Sequence, residues 1–305
     1  MTAQVGGSVE GPPTEAVPGS RHPTLGRLWP FGPAAFVLVL LFFVPLAIVF
    51  IYSFWTIDAN LQLQATWTSK NYLKFFTTDT YIRTFLKTIV MAVLVTAAGI
   101  GMAFPFAYFL ARYVSTRWQR IVLLLVIIPF WSSYLVRVYA WQAILGEKGA
   151  LNWLLMQLHL ISDPLGVFLY NDVGVFIVLT YVYFPFAALS LYSSLEKFDF
   201  VQLTAAQDLG ATPFHALRRI LIPQVRPGFI TAMIFVFVPI LGEYLTPTLV
   251  GGTKGILIGN LIVNFYRGGA FPAMAAASFI IATVVLLLLV AFRRYLQLDD
   301  VVTKL

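Results

Sequence analysis

Cysteine is absent from the 305 residues, which rules out disulfides and thiolate metal sites. Histidine is scarce: His22, His159 and His215 fall in different segments and form no ligand cluster. Neither a Gly-x4-Gly-Lys-Ser/Thr phosphate loop nor a hydrolase signature occurs, so the chain cannot bind and split ATP by the usual route and is read as no enzyme. No repeat strong enough for a solenoid or a fused double protein is present. Charge is the largest shortage. Only 11% of residues are charged against 59% hydrophobic, more apolar surface than a water-soluble globule could cover, so the chain belongs in lipid.

What the sequence does have is long apolar runs. About 20 apolar residues cross about 30 Å of hydrocarbon, and runs of that kind lie near Pro33 to Trp55, Leu86 to Arg112, Ile121 to Leu145, Gly174 to Ser194, Phe229 to Val250 and Ala270 to Phe292. They predict an all-α integral membrane protein with six transmembrane helices. Prolines 45, 105, 129, 185 and 239 lie inside them and predict kinks, which membrane helices tolerate when neighbours satisfy the freed backbone groups. Residues 1–32, rich in Pro and Gly, are expected to be a disordered tail ahead of a retained first anchor rather than a cleaved signal peptide. Residues 33–293 form the expected membrane domain, and 294–305 a short tail.

Of the twenty Lys and Arg residues, twelve fall on the side of the amino terminus and seven on the other, with Arg137 inside a span. The positive-inside bias therefore predicts cytoplasmic N- and C-termini. The net charge of +7 reports this topology and a lipid surface, not nucleic-acid binding. On the outer side, the connections 59–84 and 151–172 carry aromatic and leucine residues that suit short interfacial helices or a surface for a substrate-delivering protein.

Ionisable groups inside spans are costly, and Glu243 and Arg137 stand out. A carboxylate with aromatic faces is what a desolvated ammonium needs. Glu243 with Tyr244, Trp131, Tyr134, Tyr181 and Tyr183 is thus the expected pathway for a small organic cation. The alternative is that Glu243 pairs with Arg137 as structural glue.

Between the fourth and fifth runs, residues 195–227 encode a polar helical hairpin. Asp199 is placed to cap a helix from about Phe200 to Leu209, which Gly210 ends in a left-handed turn. Thr212 caps a second helix with Pro213 at its first position. Phe214, Leu217 and Ile220 or Leu221 share its apolar face, Arg218 and Arg219 point away, and Pro223 and Pro227 end it. From periodicity alone, such a hairpin rests in the headgroup layer.

The spacing Ala205-Ala206, three residues, Gly210, nine residues, Ile220, one residue, Ile222-Pro223 resembles the EAA loop of ATP-binding-cassette (ABC) importer permeases. The acidic residue that opens that motif is Thr204 here. Over most of the chain after about residue 30, Phe104 to Arg112, Pro129 to Arg137 with Tyr139-Ala140-Trp141, Tyr192 to Lys197, Pro239 to Tyr244, Leu249 to Gly252 and Ile258 to Ile262 look like the first permease subunit of spermidine/putrescine importers. The resemblance implies the type I ABC importer permease fold with a cytoplasmic coupling helix. It places Thr204, Ala205, Ala206, Asp208, Gly210, Ile220 and Pro223 on the ATPase-docking loop. It also implies an inner-membrane location, a second permease subunit that is a different chain, a homodimeric ABC ATPase carrying ATP and Mg, and an extracytoplasmic polyamine-binding protein. No cofactor is expected on this chain. A permease for a different small organic solute would leave a similar sequence. An ion-coupled secondary transporter lacks its coupling carboxylates and histidines here, and a membrane enzyme lacks clustered catalytic groups.

Overall fold

The computed structural model describes residues 32–58, 60 and 62–292. The two tails expected at 1–32 and 294–305 lie outside the described residues, apart from Gly32. Two compact units divide the chain, residues 1–48 and 49–305. The described part of the first is apolar helix: α1 (Gly32–Leu38), a π-helical turn (Val39–Phe43) and the start of α2 (Val44–Tyr52). Its side chains from Phe36 to Val44 are exposed, as lipid-facing residues are.

In the second unit a two-stranded antiparallel hairpin follows, β1 (Thr56–Ile57) with β2 (Leu63–Gln64). Asp58 organises its turn by accepting from the Asn60 and Gln62 N–H groups and from the Gln64 amide. Then come α3 (Lys70–Thr77), α4 (Asp79–Tyr113), α5 (Thr116–Ile127), α6 (Tyr134–Leu145) and α7 (Ala150–Gln157). The rest comprises α8 (Asp172–Leu195), the short α9 (Val201–Asp208), α10 (Pro213–Ala216) and α11 (Ile222–Gln224), and finally α12 (Arg226–Leu241), α13 (Ile258–Arg267) and α14 (Phe271–Phe292).

Helices α4, α8 and α12 pack on one another and hold the core. Their contact faces are narrow: Ala92, Val95, Ala103 and Ala107 on α4, Ala187 and Ala188 on α8, and Ala232 and Val236 on α12 are buried. Between lipid-bathed helices there is little hydrophobic drive, so small side chains that let backbones approach supply the packing. Gly228 shows how close they come, since a Cβ there would lie 2.4 Å from Ser194 Oγ on α8.

Among the described residues, three helices are long and apolar enough to cross a membrane alone: α4, α8 and α14. The expected second span, 86–112, is longer than predicted, because α4 starts at Asp79. The expected third span, 121–145, is not one rod. It stops in a 3-10 turn (Ile128–Trp131) and resumes at Tyr134, with a bend of 94° between the two helical segments. Pro129 lacks the N–H that would continue α5, and Ser132 and Ser133 are extended. The expected fifth span, 229–250, ends as α12 at Leu241, and helix resumes only at Leu245, running into a π-helical turn (Pro247–Gly251).

Two of the π turns have a common cause. Pro45 and Pro223 each sit two residues past the end of a π-helical turn, Val39–Phe43 and Leu217–Leu221, after which Val44 and Ile222 donate five residues back. Widening the helix by one residue makes room for a ring that would otherwise strike the preceding turn. This corrects the expectation that Pro223 ends its helix. Helical structure instead continues to Gln224, Pro227 stands in the first turn of α12, and the two segments meet at 68°.

Candidate functional site

The break after α12 is built around Glu243, buried at 9% exposure. Helix stops at Gly242, and where it resumes, the Leu245 and Thr246 N–H groups have no helical partner. Glu243 Oε1 accepts both, at 2.9 and 3.1 Å. Oε2 accepts from the Tyr134 hydroxyl at 2.8 Å and from the Tyr183 hydroxyl at 3.2 Å. Because Tyr134 donates to the carboxylate, Thr246 is the donor in the 2.6 Å hydroxyl pair between them. All four acceptor positions of the carboxylate are therefore filled by neutral donors.

A second polar knot lies alongside. Asn260 on α13 donates to the Tyr244 carbonyl and to Thr248 Oγ1, and accepts from the Leu257 N–H. Thr88 Oγ1 on α4 accepts from the Ile258 N–H. Gly259 is wedged under the break, where a Cβ would lie 2.5 Å from the Glu243 carbonyl oxygen. Thr88, Thr246 and Asn260 were missed by sequence reasoning, which searched the spans for charge. An Asn just after an apolar stretch was the only signal for them.

Of the five aromatics expected beside Glu243, the structure brings Tyr134 and Tyr183 to it. Tyr244 neighbours it in sequence, but its ring is 44% exposed and only its carbonyl enters the network. Tyr181 packs instead on Trp141, ring centroids 5.1 Å apart, beside an apolar cavity of about 380 Å³. Trp131 is 85% exposed and projects away from the chain. Arg137, the alternative partner, forms no ion pair with Glu243. Its guanidinium lies 4.8 Å from the Phe130 ring centroid and 5.7 Å from that of Tyr134.

The polar hairpin is a second candidate surface. Asp199 accepts from the Val201 N–H, α9 runs to Asp208, and Gly210 adopts φ +91°. Thr212 caps the next turn through the His215 N–H, with Pro213 following it. Gln224 donates to Gln202, tying the two arms. Thr204, Ala205, Asp208, Gly210 and Pro223 are exposed, while Ala206 and Ile220 are half-buried. The expected apolar face is divided. Leu221 is buried and Leu217 packs against the core, but Phe214 stands out at 69% exposure, as Leu209 does at 90%. Phe214 is the second residue after the cap, ahead of the π turn that carries the later residues inward. Beside it a cavity of about 480 Å³ is lined by Tyr108, Arg112, Tyr113, Leu203, Gln207 and Leu217.

A helical membrane core with two broken segments and an exposed amphipathic hairpin describes a transport component better than an enzyme. Residues 103–299 match the family of binding-protein-dependent transport system inner membrane components, and the chain belongs to that family. It is 35% identical over 258 residues to the spermidine/putrescine transport system permease protein PotB of Escherichia coli, covering 84% of this chain and 93% of that one. The PotB of Haemophilus influenzae is 32% identical over the same share of this chain and 89% of its own. An inner membrane ABC transporter permease protein of Escherichia coli, YdcU, is 33% identical over 70% of this chain and 72% of its own. Among solved structures, a chain of a bacterial alginate ABC transporter in complex with an alginate pentasaccharide-bound periplasmic protein superposes with a TM-score of 0.69. That match covers 89% of this chain and 96% of the other at 16% identity, a likeness of fold. The chain is a multi-pass inner-membrane permease with the ABC importer permease fold.

Proposed function

We propose that the chain is the permease subunit of an ATP-driven importer of polyamines, spermidine or putrescine, working by alternating access beside a second and different permease. The observation that carries the substrate class is the similarity to PotB over 84% of the chain, joined to a buried carboxylate held by two tyrosines at a break between helices. An external binding protein delivers the amine, and a homodimeric ATPase, with ATP and Mg, docks on the hairpin. With both termini cytoplasmic, residues 195–227 face the compartment that holds ATP.

In this mechanism Glu243 lends its charge to the passing cation. The four neutral donors keep the carboxylate closed between transport events. An ammonium that displaces the Tyr134 and Tyr183 hydroxyls gains a charge-assisted bond in place of neutral ones. Tyr134 stands at the start of α6, just past the 94° bend, so movement of that arm uncovers Oε2. ATP drives the change only by binding one arrangement of the ATPase dimer better than the other. Leu209 and Phe214, apolar and uncovered by their own chain, supply the ATPase contact, and Thr204 leaves the acidic contact of the motif to the other permease.

The test is reconstitution of the complex in proteoliposomes with its binding protein. Uptake of labelled spermidine or putrescine that requires internal ATP is expected. Uptake of a different solute instead would reassign the substrate, and uptake indifferent to ATP would point to an ion-coupled carrier.

A further inference from the structure

Arg137 is the membrane-embedded charge that the pathway does not use. It lies on α6, half-buried, and its Nε is shielded from solvent without a hydrogen-bond partner. Phe130 and Tyr134 lie under its guanidinium, and no ion pair engages it among the described residues. The carboxylate within the broken spans, Glu243, is fully occupied by other donors. Beside the arginine is a pocket of about 140 Å³ lined by Val126, Pro129, Tyr181, Val182, Phe184 and Pro185, almost wholly apolar, and in the same stretch of chain Val136 is 60% and Trp131 85% exposed.

An arginine in such a surface costs several kcal/mol against hydrocarbon unless an acceptor meets it. Aromatic faces offset part of that charge, but they leave the planar fork of N–H donors unmet. Acyl chains offer no acceptor, and the arginine lies beside residues 181–185, near the middle of α8 and away from the headgroup layer. A cationic substrate would be repelled. What fits is a carboxylate carried by another protein helix, seated among apolar side chains.

We infer that Arg137 and the apolar surface around it form a docking site for a membrane helix of the second permease subunit, whose aspartate or glutamate pairs with the guanidinium. This rests on the reading that the chain works beside a second permease. The bidentate pair fixes the register of the two subunits, and neutralises Arg137 so that a cation can pass nearby.

The experiment is co-purification of the full complex from membranes, with wild type, Arg137→Lys and Arg137→Glu, followed by a search for suppressors in the second permease. Wild type should carry the second permease; its absence would remove the reading on which this inference rests. Arg137→Glu should retain about tenfold less second permease at equal membrane insertion, with Arg137→Lys between the two. A single Asp or Glu replaced by Lys or Arg in a membrane helix of the second permease should restore assembly of Arg137→Glu. Full recovery of the second permease by Arg137→Glu would overturn the inference. So would failure of every acid-to-base replacement to rescue it, including the case in which assembly follows only the anionic lipid content of the membrane.

Discussion

Tyr134 and Glu243 are joined by a 2.8 Å hydrogen bond across 109 residues of chain, linking the restart of one broken segment to the break in another. The second break leaves the Leu245 and Thr246 N–H groups without helical partners, and Glu243 itself accepts both, so the Tyr134 bond ties the two breaks side chain to side chain. Loss of the hydroxyl in Tyr134→Phe leaves Glu243 Oε2 with Tyr183 alone, and should lower the unfolding free energy of the purified complex by ~1–3 kcal/mol in a thermal or denaturant melt. Glu243→Gln should still cap Leu245 and Thr246 through its amide oxygen. It should therefore assemble and bind the ATPase while losing amine uptake; wild-type uptake would remove Glu243 from the pathway.

How much of this was legible in the sequence depended on the range of the interaction. The hairpin is written locally: Gly210, Thr212 and Pro213 each do within a few residues what their chemistry predicts, while Asp199 stands one residue ahead of the N-cap Phe200 and accepts from the Val201 N–H. Apolar length revealed α4, α8 and α14, but not that Pro129 would break the third expected span, because the same residue type lies inside the helices at 105 and 185 without interrupting them. Membrane helices tolerate an internal proline where neighbours satisfy the freed groups, which is tertiary information. The Tyr134–Glu243 bond and the Asn260 knot are of that kind. Residue type alone groups Trp131 with Glu243, and exposed aromatic residues occur at membrane surfaces as readily as in pathways.

Gly210 gives a test in which folding and docking separate. Its φ of +91° favours glycine, yet a Cβ there would meet nothing within 4 Å. Gly210→Ala should thus cost only ~1 kcal/mol, from backbone strain. Gly210→Trp has open space within its own chain, so it should insert normally but lose ATPase binding or uncouple hydrolysis from uptake. Normal uptake by that variant would argue against a docking turn at this position.

Asp58 predicts a pH response confined to the β1–β2 hairpin. The Gln62 N–H, chiefly, with the Gln64 amide and the Asn60 N–H, holds its carboxyl below the ordinary 3.8. A depressed carboxyl contributes stability that is present above the unfolded value and lost as pH falls through the folded one. Protection of the Gln62 amide from hydrogen exchange should therefore persist on acidification to 3.8 and fail only below it. Asp58→Ala should lack that protection throughout.

Gly259 and Gly99 form a matched pair, both buried and both helical, with opposite expectations. A methyl group at Gly259 would meet the Glu243 carbonyl oxygen at 2.5 Å, the Glu243 carbonyl carbon at 2.8 Å and the Gly242 oxygen at 2.9 Å. All three are backbone atoms and cannot swing aside, so Gly259→Ala must displace the break that positions the carboxylate. It should cost ~1–3 kcal/mol and lower uptake. Gly99→Ala meets nothing within 4 Å and replaces a poor helix former by the best, so its stability should stay level or rise by up to ~1 kcal/mol. Thermal melts and uptake on the two variants side by side decide the matter. Equal behaviour would mean that the backbone under Glu243 is free to move, and that its geometry is not what closes the carboxylate.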